Sequence, residues 1–282
     1  VRPSPAQRTD AALAGYLSKA RDDLKDAEFS STLATTCLPL FVHAISQLRL
    51  IPQRDCRVRR MRSEQGPERG MPDAEMIVFH HLSKTYGDLT AVRGLDLSIS
   101  KGEVFGFLGP NGAGKTTTIR MMMGILVPSS GSVVIDGLDC RTDRVEVKGR
   151  VGYLPDNPIF YDYLKGREIL VFVGEMHGQS RCEAEERAGI LLHDLALADA
   201  EQEFAANYST GMKKKLGLAC ALIHDPAVLI LDEPTNGLDP RAQREVQERL
   251  LRSAAEGKTI FLSTHLLNMA EHLCSRIGII NK

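Results

Sequence analysis

The stretch Gly109, Pro110, Asn111, Gly112, Ala113, Gly114, Lys115, Thr116, Thr117 constrains this chain more than any other. It follows an unbroken apolar run, residues 104–108, and precedes a helical pattern, the strand-to-helix setting that a G-x-x-x-x-G-K-[ST] loop requires. The glycines at 109, 112 and 114 are expected to allow φ > 0 and to leave no Cβ in the way, so that successive N–H groups face phosphate oxygens. The positive end of the following helix strengthens that pull on an anion. Lys115 then reaches the outer phosphates as a point charge, and the Thr116 hydroxyl is placed to ligate Mg2+.

The surrounding texture is α/β. Short β-branched runs at residues 76–79, 95–99, 104–108, 133–136, 228–231, 259–262 and 277–280 alternate with helical stretches at 115–124, 166–177, 182–195, 211–224, 240–256 and 266–274. The runs at 104–108 and 228–231 lack polar alternation, as expected of central strands covered on both faces. Chemistry belongs at the C-terminal ends of such strands. The second of them delivers Asp232 and Glu233, and Pro234 then stops further pairing. Because neighbouring strand residues point to opposite sides, Asp232 is expected to face the metal shared with Thr116. Glu233 is expected to face the space beyond the γ-phosphate, where a water must lose a proton.

Residues 1–72 differ in character, with 12 basic against 8 acidic side chains, which leaves 23 against 28 for the remainder. Residues 10–29 carry apolar positions at helical spacing. Residues 52–73 collect three prolines, two glycines and Arg54, Arg57, Arg59, Arg60 and Arg62 in what reads as a solvated linker. The expectation is an N-terminal extension over 1–72, partly disordered, ahead of a folded unit over 73–282; a natural start at Met71 or Met76 is the other reading. The chain stops at Lys282, just past the last expected strand, so a C-terminal tail is expected to be missing.

Over the whole chain 35 Lys+Arg meet 36 Asp+Glu, so no bulk field draws it to nucleic acid or anionic lipid, and no nucleic-acid partner is expected. The cysteines at 37, 56, 140, 182, 220 and 274 form no CxxC pair or short repeat, which argues against a zinc or disulfide framework and for a reducing, cytoplasmic setting. No apolar run reaches the ~20 residues of a spanning helix, nor does the N-terminus read as a secretory leader.

Further residues identify the class of loop. Tyr208, Ser209, Thr210, Gly211, Met212 and Lys213 open a helix ahead of Asp232, and this segment resembles the signature of the ATP-binding cassette (ABC) family, usually Leu-Ser-Gly-Gly-Gln. Ser209 and Gly211 hold the positions of its Ser and second Gly. In family order, Tyr86 within Lys84-Thr85-Tyr86-Gly87 is similar to the aromatic that stacks on adenine, Asp239 within Gly237-Leu238-Asp239 to the D-loop acid, and His265 after Thr264 to the switch histidine. The resemblance covers about residues 76–282. It implies a P-loop NTPase with an ABC-type core sheet, an antiparallel β subdomain and a helical signature subdomain. It also implies a head-to-tail dimer in which Ser209 and Gly211 of one copy meet ATP held by the P-loop of the other.

Three departures from the family pattern stand out. Asp156 occupies the Q-loop position of the usual Gln, so a neutral metal and water contact becomes a carboxylate; Mg2+ accepts either oxygen type. Thr210 replaces the first signature Gly, and Met212 replaces Gln. The Tyr-Ser-x-Gly-Met pattern is similar to cassettes of the exporter-like ABC-2 branch. The resemblance therefore implies the ATP-hydrolysing subunit of a transporter, peripheral at the inner face of the cell membrane, with a second ATP-binding subunit as partner. A separate transmembrane permease subunit would be received near residues 157–178. Soluble ABC ATPases acting on ribosomes or DNA are the alternative, but these carry two cassettes or a long coiled-coil insertion, and this chain has one P-loop with no sustained heptads between it and Ser209.

Overall fold

The computed structural model describes residues 75–281, and the expectations for residues 1–72 lie outside them. Two sheets organise the described residues. The first is antiparallel, order β2-β1-β4-β5, built from β1 (Glu75–Tyr86), β2 (Leu89–Ser100), β4 (Ser130–Ile135) and β5 (Leu138–Asp139). The second is parallel, order β6-β7-β8-β3-β9, built from β6 (Val151–Leu154), β7 (Val228–Asp232), β8 (Thr259–Thr264), β3 (Val104–Leu108) and β9 (Arg276–Ile279). Helices connect the parallel strands: α1 (Lys115–Met122), α2 (Arg144–Arg150), α3 (Gly166–Met176), α4 (Arg181–Asp194), α5 (Thr210–Leu222), α6 (Pro240–Ala255) and α7 (Leu267–Leu273).

The unbroken apolar runs of β3 and β7 are explained by burial on both faces. On one face Val228, Ile230, Phe261, Phe105 and Phe107 pack with Phe79, Ile77 and Ile135 of the antiparallel sheet and with α1. Ring centroids of Phe79, Phe105 and Phe107 lie 6.2, 5.8 and 5.5 Å from that of Phe261, so one aromatic knot ties the two sheets together. On the other face Leu229, Leu231, Ile260 and Leu262 pack against Leu216 and Leu218 of α5, Val246 and Leu250 of α6, and the α3–α4 pair. The expected three-part layout of core sheet, antiparallel subdomain and helical subdomain is present.

Parallel register aligns the strand ends that matter. Leu108 pairs with Thr264 and Asp232 with Ser263, so the loops after β3, β7 and β8 leave the sheet at one edge. Two neighbouring elements, α2 and β6, escaped the sequence reading, and β1 runs longer than expected. β6 is four residues long and follows a charged helix, α2, in which Val147 alone is buried, so neither shows a clear period. β1 continues through polar residues to Tyr86, where a tight hairpin turns into β2.

Candidate active site

The loop after β3 closes tightly on its own lysine. Gly114, at the N-terminal cap of α1, has φ 103, and a Cβ there would sit 2.4 Å from the Ala91 carbonyl oxygen of β2. Gly112 also has positive φ. Gly109 corrects the sequence expectation: its φ is not positive, and glycine is needed because a Cβ would meet the Ile280 carbonyl oxygen at 2.5 Å. Pro110 and Asn111 are exposed at the loop's crest, Ala113 is buried and donates its N–H to Pro110, and Thr117 is half-buried on α1. The Lys115 ammonium donates to the carbonyls of Gly109 (2.6 Å) and Pro110 (3.2 Å) and lies 3.3 Å from Glu233 Oε1.

Asp232 ends β7 with its carboxylate buried. Its Oδ1 accepts from Ser263 Oγ at 2.6 Å, and the Thr116 hydroxyl also donates to it. Burial nonetheless pushes this carboxyl above its ordinary range, the two hydrogen bonds offsetting part of the rise. Glu233 is placed differently from expectation. The strand stops at Asp232, and Glu233 adopts φ 48 while its N–H donates to Ser263 Oγ at 3.1 Å. That left-handed residue, not strand alternation, sends its side chain between Lys115 and His265, whose Nδ1 is 2.9 Å from Oε2. Oε1 is buried without a hydrogen-bond partner. Its nearest partner is the Lys115 ammonium at 3.3 Å, so a phosphate that draws Lys115 away would leave this oxygen placed to take a proton from a water.

Asp156, just past β6, is brought toward the same edge, near enough to raise the Asp232 carboxyl further. Lys214 of α5 holds it: the ammonium donates to the Asp156 carbonyl at 2.6 Å and to Oδ1 at 3.1 Å. Burial lowers the lysine's pKa while Asp156 supports its charge. Asn236, after β7, adds an amide 3.4 Å from Asp156 Oδ1. Sequence reasoning overlooked Lys214, Ser263 and Asn236. Three consecutive lysines, 213–215, facing an apolar helix pattern were the only available signal, since a helix that packs on a sheet cannot turn all three to water.

The remaining candidates lie farther out. Tyr86 ends β1, 49% exposed, with Lys84 Nζ 5.1 Å from its ring centre. Ser209 caps α5, its Oγ accepting from Met212 N–H. A Cβ on Gly211 would find Leu238, Ser209 and Ala242 nearest, not the P-loop of its own chain. Asp239 caps α6, Oδ1 accepting from the N–H groups of Arg241 and Ala242 at 2.9 and 3.0 Å.

The donor set fits a hard divalent cation. A hydroxyl (Thr116) and carboxylates (Asp232, Asp156) are oxygen ligands of the kind Mg2+ accepts. Among the described residues no group of three or more His, Cys, Asp or Glu could hold a metal by itself.

Comparison with known proteins bears on the family of the chain. A family described as "ABC transporter" matches residues 92–236. The linearmycin resistance ATP-binding protein of Bacillus subtilis is 36% identical over 207 residues, 73% of this chain and 67% of that protein. The Nod factor export ATP-binding protein I of Paraburkholderia xenovorans is 41% identical over 212 residues, 75% of this chain and 69% of that protein. A solved ATP-binding subunit of an ABC transporter superposes with a TM-score of 0.68 at 32% identity, covering 73% of this chain and 86% of that one. The chain belongs to the ABC transporter family, as an ATP-binding and ATP-hydrolysing subunit.

Proposed function

We propose that the chain hydrolyses Mg2+-bound ATP between two copies of itself and uses the closure to drive export through a separate transmembrane subunit. The observation that carries this reading is Glu233, held between Lys115 and His265 at the end of β7, beside Asp232 and Thr116. The N–H groups of residues 111–115 and the Lys115 ammonium grip the β- and γ-phosphates, Lys115 exchanging Glu233 for phosphate as ATP arrives. Thr116, Asp232 and Asp156 would hold Mg2+, which when bound would neutralise charge developing on the phosphates. Glu233 takes a proton from the water that attacks the γ-phosphorus. The bond from that phosphorus to the β–γ bridging oxygen breaks, leaving ADP and phosphate. His265 keeps the Glu233 carboxylate aimed. Tyr86 stacks on adenine, and Asp239 meets the partner copy across the sandwich.

Ser209 and Gly211, at the start of α5, supply a second anion-binding helix end that faces the ATP of the other copy. The membrane partner docks on the segment after β6, where Ile159, Tyr161 and Tyr163 are exposed, which places the chain at the inner face of the cell membrane. Among the described residues no helix is long and apolar enough to cross a membrane. Relatives named for export and resistance favour this over action on ribosomes or DNA.

Glu233→Gln tests the reading. It should keep ATP affinity, lower turnover by at least about 100-fold, the usual scale for losing a general base, and accumulate an ATP-dependent dimer in analytical ultracentrifugation. Unchanged steady-state turnover would remove Glu233 from the reaction.

A further inference from the structure

Lys214 is a buried cation that the reaction above leaves without a role. It is 2% exposed, on the helix that begins at the Ser209 cap, and its ammonium donates to both the main-chain carbonyl and the carboxylate of Asp156. One side chain therefore fixes the first residues of the segment leaving β6, and it does so from α5. The same end of the sheet gathers three carboxylates, Asp156, Asp232 and Glu233, where a polyanion must settle. Lys115 faces Glu233. Lys214 is what balances Asp156, whose partly exposed carboxylate still lies close enough to act on Asp232.

We propose that Lys214 is a positioning residue for the ATPase reaction, holding Asp156 on the signature helix and thereby setting the balance between triphosphate and divalent cation at the site. The proposal rests on the ATPase reading above. A glutamine at 156 would be neutral and would need no counter-ion. With aspartate there, the site gains a negative charge that repels ATP and draws in cations unless an ammonium offsets it. Because Lys214 reaches the backbone as well as the carboxylate, its loss also frees the segment after β6.

The test uses the full chain. Binding of a fluorescent ATP analogue is titrated in EDTA, and the Mg2+ concentration giving half-maximal turnover is measured separately. Lys214→Met should weaken metal-free binding about tenfold, the equivalent of 1.4 kcal/mol, lower the half-saturating Mg2+ concentration and reduce kcat more than it changes KM. Asp156→Asn should move both binding quantities in the opposite direction. The double variant Asp156→Gln with Lys214→Gln should return both to within about threefold of wild type, since each mutation removes the charge that the other left unbalanced. Single variants that leave both quantities unmoved, or a double variant no better than Lys214→Met, would overturn the proposal. If Lys214→Met fails to fold, Lys214→Gln decides instead, because its amide still donates to the Asp156 carbonyl while the charge is gone. A wild-type chain with no affinity for the analogue overturns the ATPase reading and the proposal together. Sound wild-type binding with unmoved variants overturns only the proposal.

Discussion

Glu233 owes its place to one backbone conformation. Strand alternation was the expected reason for it to point away from Asp232, but a residue at φ 48 no longer obeys the period of two. A local sequence pattern does not encode that exception; the Ser263 contacts that hold it come from the adjacent strand. Asp232 carries a second consequence. Burial lifts its carboxyl above the ordinary 3.8, so the folded chain holds that proton more tightly than the unfolded one. The contribution to stability is fully present below the ordinary value and is lost as pH rises through the folded value, which makes the ionised side chain a cost at neutral pH. Asp232→Asn should therefore raise the melting temperature of the nucleotide-free chain at pH 7 while abolishing turnover, with a smaller rise at pH 4; calorimetric scans at both pH values check it. Cysteine chemistry is also local. Burial, with Asp139 and Asp143 nearby, pushes the Cys140 thiol up to about 12, whereas Cys182 is exposed. Iodoacetamide at pH 8 should label Cys182 in the folded chain and reach Cys140 only after denaturation, as read by peptide mass spectrometry.

At the scale of elements, periodicity located most of the architecture. The helices expected at 166–177 and 240–256 are Gly166–Met176 and Pro240–Ala255, and β3 falls on its expected bounds, because long amphipathic or uniformly apolar segments carry their own signal. β6 was legible only as a motif-bearing loop, being short and containing glycine. That glycine is what lets α5 approach. A Cβ on Gly152 would meet the Ala221 carbonyl oxygen of α5 at 2.0 Å, and main chain cannot yield as a flexible side chain does. Gly152→Ala should destabilise the fold by roughly 3 kcal/mol, the upper part of the usual overpacking range, seen as a lower urea midpoint with unchanged slope. It should lower turnover as well, because Gly152 lies on the strand that leads directly into Asp156.

Across the whole molecule, the parallel sheet brings Lys115, Thr116, Asp232, Glu233 and His265 to one edge, as the family motifs implied. It leaves Gly211 beside Leu238, Ser209 and Ala242, with its own P-loop absent from that nearest shell. The sequence could name both halves of the site, since each is a short motif at a helix start. Their separation in space depends on where α3, α4 and the segment before α5 run, which no motif encodes. A site completed by a second copy is the consistent reading. Its foundation is the grip of residues 109–115 on a triphosphate, and isothermal titration calorimetry of ATP into the folded chain, with and without Mg2+, probes that grip directly. The account predicts saturable binding to the wild-type chain that tightens with Mg2+ and weakens at least about tenfold in Lys115→Ala, as expected when a charge-assisted phosphate contact is lost. Wild-type protein that takes up no ATP, or a Lys115→Ala variant of equal affinity, would contradict it.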